Sequence, residues 1–167
     1  MSEIINPQDA ELEEVILGSC LIESKAITLI ADILRPEAFY NEKNLEIYAT
    51  LQSMYRNGQK IDIITVKEEL TRRGKLEFIG GPYTLAHISG RVASSAHLEY
   101  HARILKQKYI RRETILGFHK LLALAADETT DIDDTLADAH TLLDRLENEC
   151  GTCLLYTSPS PRDKRQS

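Results

Sequence analysis

Residues 94–149 read SSAHLEYHARILKQKYIRRETILGFHKLLALAADETTDIDDTLADAHTLLDRLENE, and this stretch decides the fold. Ser94 and Ser95 can cap a helix that meets no strong helix breaker before Ala126, a length of about 46 Å at ~1.5 Å per residue. After the polar turn 127–130, apolar residues recur at alternating spacings of four and three, as in helices that pack along a seam. They are Ile132, Leu136, Ala139, Leu143 and Leu146. The pattern predicts an antiparallel helical hairpin.

The first helix of this hairpin carries more apolar surface than one partner helix can bury. At about 100° per residue, its apolar side chains cover well over half of the helix circumference. They are Ile115, Leu116, Phe118, Leu121, Leu122, Leu124 and Ala125. The body of the domain could cover the excess, but we favour a second copy of the hairpin, because symmetric pairing is the commonest route to a homodimer. Leu136 and Leu143 of the second helix join the predicted self-association surface.

Residues 1–93 are predicted to form a small globular helical bundle, so that the whole fold is all-α. Turn and capping residues recur where helices can begin. The predicted starts are Asn6-Pro7, Ser24, Asn41, a capping box at Thr65–Glu68, and Gly81-Pro82. Pro36–Phe39 reads as a single turn that directs Phe39 and Tyr40 into the core, and residues 60–64 could form a short extended piece.

Composition excludes several classes of protein. The 167 residues are 43% hydrophobic and 28% charged with a net charge of −6, which is ordinary for a soluble domain and argues against a broadly basic nucleic-acid-binding surface. No apolar run is long enough to cross a membrane, and residues 1–7 lack the features of a signal peptide. Three cysteines do not make a disulfide framework. We therefore expect a cytoplasmic protein, with residues 150–167 as a disordered tail.

One segment is basic enough to raise the question of DNA binding. Its charges are Arg103, Lys106, Lys108, Arg111 and Arg112. At about 100° per residue they wrap around the predicted helix and do not align in one stripe. A groove for single-stranded DNA needs aligned charges and exposed aromatic rings. We therefore expect weak, salt-sensitive DNA binding or none.

Candidate chemical sites are weak throughout. His97 and His101 share a helix face, but no third metal ligand is placed beside them and the glutamate spacing is wrong for a metalloprotease. Cys150 and Cys153 form a C-x-x-C without a βαβ context or a second cysteine pair. No phosphate-binding P-loop occurs. We predict no catalytic residue, no cofactor site and no metal site.

Several segments, in this order, resemble bacterial replicative DNA helicases of the DnaB type. They are DAELEEVILGS (9–19), LRPEAFY (34–40), IDIITV (61–66), LTRRGKL (70–76), GGPY (80–83) and SSAHLEYHARI (94–104). The similarity covers about residues 6–149. His97 stands where this family would have asparagine, which argues further against a metal site.

The resemblance implies an N-terminal domain whose hairpins pair between subunits and form a collar on a hexameric ring. The collar would face primase or a helicase loader, and the ATPase domain of the family is absent from this sequence. Residues 153–163 resemble a translated sequencing adaptor, so that we expect a truncated gene. A genuine short protein that joins or inhibits a helicase ring is the alternative.

Overall fold

The computed structural model describes residues 6–92 and 94–151, and within them every regular element is a helix, which confirms the all-α prediction. The tail predicted to be disordered lies, from residue 152 onward, outside the described residues. The elements are α1 (Ala10–Ile22), α2 (Ala26–Ile30), a 3₁₀ turn (Pro36–Ala38), α3 (Glu42–Arg56), α4 (Ile63–Arg72), α5 (Pro82–Gly90), α6 (Leu98–Ala126) and α7 (Ile132–Gly151).

The described helices belong to two compact units, Met1–Arg112 and Glu113–Ser167, so that the division falls inside α6 and not at the predicted position between residues 93 and 94. Three side chains near the start of α6 explain the difference. Leu98, Ala102 and Leu105 are fully buried in the core of the first unit. Because these apolar side chains are buried in the core of the bundle, the first part of α6 belongs to the first unit.

Two predicted helix starts in the first unit are confirmed. The Asn41 side chain accepts a hydrogen bond from the backbone N–H of Lys43 (2.9 Å) and caps α3. Pro82 is the first residue of α5, where its missing N–H is not needed. It follows Gly81, whose φ of 76° suits glycine.

The other predicted starts in this unit are wrong by a few residues. Asp9 and not Asn6 caps α1, with Oδ1 accepting from the N–H of Leu12 at 3.1 Å. Lys25 precedes α2 and makes no side-chain cap, so Ser24 does not begin that helix. In each case the residue predicted as the cap has a side chain that can cap a helix and lies near the observed start. The helix itself begins where its apolar side packs on the core.

The capping box of α4 is real but lies three residues earlier than predicted. Asp62 accepts from the N–H of Thr65 (2.9 Å), and the Thr65 hydroxyl accepts from the N–H of Asp62 (3.0 Å). Thr65 is therefore the third helical residue of the box and not its cap. Residues 63 and 64 lie in the first turn of α4, so the possible extended piece at 60–64 is absent.

The core of the first unit is built from α1, α3 and the shorter helices around them. Phe39 enters it and stacks on Tyr48 with ring centroids 4.7 Å apart. Tyr40 does not enter, contrary to prediction. It is half exposed, and its ring lies 5.4 Å from the guanidinium of Arg112. Burying each large apolar side chain contributes about 2 kcal/mol, so this cluster stabilises the bundle.

Two buried charges hold the connector 38–41 that leads into α3. Glu13 of α1 accepts hydrogen bonds from the N–H groups of Tyr40 (2.6 Å) and Asn41 (3.3 Å) and from the side-chain amide of Asn44 (2.9 Å). Arg112 of α6 donates to the carbonyl of Ala38 at 2.7 Å. The connector's polar groups are thereby satisfied away from water.

Among the described residues, Thr50 has the one buried side-chain polar atom without a hydrogen-bond partner. It is fully buried in α3, and its hydroxyl has no hydrogen-bond partner.

We expect Thr50→Val, which keeps the shape and removes the hydroxyl, to raise the free energy of unfolding by about 1 kcal/mol. Urea denaturation measures the change. Thr28→Val is the control, because the exposed Thr28 hydroxyl already donates to the carbonyl of Lys25 (2.6 Å). Equal effects at the two positions would contradict the prediction.

Candidate self-association site

The second unit contains the predicted hairpin, formed by residues 113–126 of α6 and by α7. The turn between them is held by Asp127, whose carboxylate accepts from the hydroxyl (2.7 Å) and the N–H (2.9 Å) of Thr129. These bonds, that of the hydroxyl first, lower the pKa of the Asp127 carboxyl below its usual range. Asp131 accepts from the N–H of Asp133 (2.9 Å) where α7 begins.

Ion pairs show that the two helices run antiparallel. Glu113 pairs with Arg145 at 3.2 Å, and Lys120 pairs with Asp138 at 3.9 Å. As the residue number rises along α6, the number of its partner falls along α7. The side chains of Lys120, Asp138 and Arg145 are more than half exposed, so these pairs indicate register and contribute little stability.

The interior of the hairpin agrees only in part with the seam predicted from the sequence. Thr135, Leu142 and Leu146 are the buried residues of α7. Leu142 lies so close to Gly117 of α6 that a Cβ at residue 117 would be 2.5 Å from a Leu142 methyl carbon. Leu146 and the half-buried Ala139 belong to the predicted seam. Thr135 and Leu142 take the places predicted for Leu136 and Leu143, because the absence of a side chain at Gly117 lets Leu142 pack there.

Three residues of the predicted seam are exposed as a result. Ile132, Leu136 and Leu143 have between 44% and 57% of their surface exposed. Of the remaining seam residues, Ala139 is half-buried and Leu146 is buried. The exposed three lie on one side of α7, away from Asp138 and Arg145 on its other side.

A matching apolar side exists on α6. At about 100° per residue, Phe118, Leu122 and Ala125 lie on the side opposite to Leu116 and Lys120. Because the ion pairs join the charged sides of the two helices, the apolar sides share the other broad face. We call it the apolar face. Its residues are Phe118, Leu122, Ala125, Ile132, Leu136 and Leu143, with the half-buried Ile115 beside Leu122.

The structure divides the remaining residues of the predicted self-association surface. Leu121 and Leu124 are half-buried and lie on the side of α6 that carries Gly117, toward α7. Leu116 is 54% exposed but lies beside the ion pairs, outside the apolar face. Ile132 was not included in the predicted self-association surface. Its position in the heptad pattern, in line with Leu136 and Leu143, could have indicated that it belongs there.

The basic segment 103–112 finds several of its partners within the first unit. Arg103 pairs with Glu99 at 2.7 Å, and Lys108 pairs with Asp9 at 3.5 Å. Arg112 is buried and donates to backbone carbonyls, and Lys106 is buried as well. This arrangement agrees with the expectation of weak DNA binding or none, which stays a prediction.

In the described part of the chain, the histidine pair and the cysteine pair considered from the sequence are not brought together with further ligands or catalytic groups. The rings of His97 and His101 are 6.4 Å apart, and the described residues contain no group of three or more side chains able to hold a metal. Cys150 is half-buried at the end of α7, and Cys153 lies outside the described residues. Nor does any described helix have the length and apolar character needed to cross a membrane.

Comparison with known proteins identifies consistent relatives. The family model "DnaB-like helicase N terminal domain" matches residues 5–107. Over 145 residues the chain is 40% identical to the replicative DNA helicase DnaB of Rhodothermus marinus, covering 87% of this chain and 15% of that protein. Over 143 residues it is 29% identical to the replicative DNA helicase DnaC of Bacillus subtilis (strain 168), covering 83% and 32% respectively. The chain thus spans less than a third of either relative.

Solved structures agree in fold. The crystal structure of the N-terminal domain of DnaB helicase from Mycobacterium tuberculosis matches with a TM-score of 0.71 and 28% identity, covering 87% of this chain and 97% of that one. A structure described as a DnaB-like replicative helicase and its interactions with primase matches with a TM-score of 0.69 and 25% identity, covering 84% and 31%.

Proposed function

Because this chain belongs to the DnaB-like helicase N-terminal domain family, we propose that it is a non-catalytic assembly and docking domain of a replicative DNA helicase. Its hairpin pairs with a second copy through the apolar face, and such pairs contribute to the collar of a helicase ring. The related DnaB-like helicase interacts with primase, and we propose primase as a docking partner here. We propose that it acts in the cytoplasm, as a protein of bacterial DNA replication would.

The observation that carries the proposal is the exposure of the apolar face. Its five large side chains, Phe118, Leu122, Ile132, Leu136 and Leu143, are between 44% and 67% exposed. Together they present on the order of 400–500 Å² of apolar surface, the size of a functional patch. The largest apolar patch of a monomer can reach this size and is often functional. The ion pairs Glu113–Arg145 and Lys120–Asp138 lie on the opposite face.

The same area sets the expected strength of pairing. Two copies would bury about 1,000 Å² of apolar surface in total, below the roughly 1,600 Å² of a standard stable interface. We therefore expect pairing of the isolated chain at micromolar to tens of micromolar concentration, with further contacts needed for a permanent assembly.

Leu122→Asp combined with Leu136→Asp tests the pairing. Both side chains are more than half exposed, so the variant should keep its helical circular dichroism. Two carboxylates buried in each half of the interface should weaken pairing at least a hundredfold. Sedimentation velocity at about 50 μM measures it. Leu121 and Leu124 are unsuitable positions, because aspartate there would disturb the packing within the hairpin.

Leu29→Asp is the matched control, because Leu29 is 53% exposed on α2 in the other unit. It should pair as strongly as the unmodified chain. A wild-type chain that sediments as a monomer at this concentration would refute the proposed assembly function. Equal weakening by the control would show that the apolar face is not the site.

A further inference from the structure

A pocket of about 350 Å³ lies in the first unit, where the start of α1 meets the connector 38–41 and the segment before α5. Its volume is at the lower end of the range for small-ligand sites, about 300–1,000 Å³. The lining comes from residues 8–13, residues 40–43 and Phe78. No sequence motif predicts this pocket, because three separate segments of the chain form it.

Two aromatic side chains line the pocket, and each has a cation over one face of its ring. Tyr40 is 47% exposed, and the guanidinium of Arg112 lies 5.4 Å from its ring centroid. Phe78 is 45% exposed, and the ammonium of Lys75 lies 5.5 Å from its ring centroid. Because a cation occupies one face of each ring, a ligand can stack only on the other face. Flat aromatic ligands such as nucleic-acid bases stack on rings of this kind.

A cation without an ion pair lies at the same pocket. Lys43 is exposed, lines the pocket and, among the described residues, takes part in no ion pair. Its Nζ lies against the turn before α5, 4.0 Å from the position that a Cβ at Gly80 would take. The buried carboxylate of Glu13 already accepts three hydrogen bonds. Lys43 is therefore available to an anionic group such as a phosphate.

Two polar side chains determine which groups the edge of a bound ring can carry. Glu42 is exposed at the pocket, and its carboxylate only accepts hydrogen bonds, whereas the amide of Gln8 both donates and accepts. Adenine and cytosine present an amino group to such an acceptor, while thymine and uracil present a carbonyl oxygen. The side chain of a phenylalanine from a partner protein could stack on the same rings, but it has no amino group for Glu42. These polar groups favour a nucleotide with an amino-bearing base.

We propose that this pocket binds an adenine or cytosine nucleotide, with the base stacked against Tyr40 and Phe78, its amino group on Glu42 and its phosphate on Lys43. The inference goes beyond the proposed assembly function and does not depend on it, because every residue involved lies in the first unit. A free nucleotide and one nucleotide of a single strand share this chemistry. With one base and one phosphate contact, we expect a Kd on the order of 1 mM.

Amide chemical shifts in the NMR spectrum of the full chain measure binding during a titration with AMP. We expect saturable shifts at Asn41, Lys43 and Phe78, and none at Ile64, which is exposed on α4. Adenosine lacks the phosphate and should bind about threefold more weakly in roughly 50 mM NaCl, with a smaller difference in roughly 500 mM NaCl. UMP lacks the amino group and should bind about threefold more weakly than AMP.

Substitutions at exposed positions test the two kinds of contact separately. Lys43→Gln should lower the affinity for AMP to that for adenosine, and Phe78→Leu should weaken binding of both ligands about fivefold. Lys67→Gln and Tyr100→Leu are the matched controls, because both side chains are exposed in the first unit and neither lines the pocket. Both controls should bind AMP as the unmodified chain does.

A 5′-phosphorylated trinucleotide of deoxyadenosine identifies the source of the ligand. A Kd at least about tenfold below that of AMP indicates a single strand, and a smaller gain indicates the free nucleotide. Absence of saturable shifts at about 10 mM AMP would refute the inference, as would unchanged binding in the Phe78→Leu variant. If the amide of N-acetylphenylalanine binds as tightly as AMP, the pocket takes an aromatic side chain of a protein, and the inference is wrong. None of these outcomes bears on the sedimentation test of the apolar face.

Discussion

Gly18→Val is expected to lower the free energy of unfolding by about 3 kcal/mol. Gly18 lies in α1 against Ile88 of α5, and a Cβ there would be 2.6 Å from the carbonyl oxygen of Ile88 and 2.6 Å from a methyl carbon of Val92. The first of these neighbours is backbone, which cannot rotate away. The helices must therefore separate, and the core between them loses contacts. Urea denaturation followed by circular dichroism measures the loss.

Gly90→Val is the matched control for this change. Gly90 is the last residue of α5, and a Cβ there has no neighbour within 4 Å. We expect a change within about 0.5 kcal/mol, as for most surface substitutions. If Gly18→Val were equally mild, the close approach of α1 and α5 would be wrong.

Glu13→Leu is expected to reduce stability by at least about 3 kcal/mol. Leucine fits the space but accepts no hydrogen bond, so the N–H groups of Tyr40 and Asn41 and the amide of Asn44 lose their acceptor. Each unsatisfied buried donor costs roughly 1–3 kcal/mol. Glu13→Gln keeps one acceptor oxygen and should show a smaller loss. Denaturation gives the total, and amide hydrogen exchange should show Tyr40 and Asn41 opening first.

The neighbouring Glu14→Leu controls for loss of a carboxylate. Glu14 pairs with Arg91 at 2.6 Å, with a quarter of its side chain and over a third of the Arg91 side chain exposed, so water partly replaces the bond. We expect a change of at most about 1 kcal/mol. A loss at residue 14 as large as that at residue 13 would contradict the role assigned to the buried carboxylate.

The sequence predicted helix starts correctly where a single residue determines the backbone conformation at the start of the helix. Asn41 and Pro82 mark helix starts because capping and the missing N–H act within one turn. Asp9 and Asp62 replaced the predicted caps because several polar residues near a helix start can cap it, and burial of the apolar side selects among them. Thr50 and Glu13 could not be recognised in advance, since their importance depends on neighbours distant in the chain.

By itself the sequence determined that the chain is all-α, that a hairpin occupies its second part, and that this hairpin has more apolar surface than it can bury. Only the tertiary structure decided which apolar residues are buried. A heptad spacing specifies which residues lie on the same side of a helix. Which of its sides faces the partner helix depends on the side chains that the partner presents. Because Leu142 packs over Gly117, Leu136 and Leu143 face outward, and Leu121 and Leu124 face the partner helix.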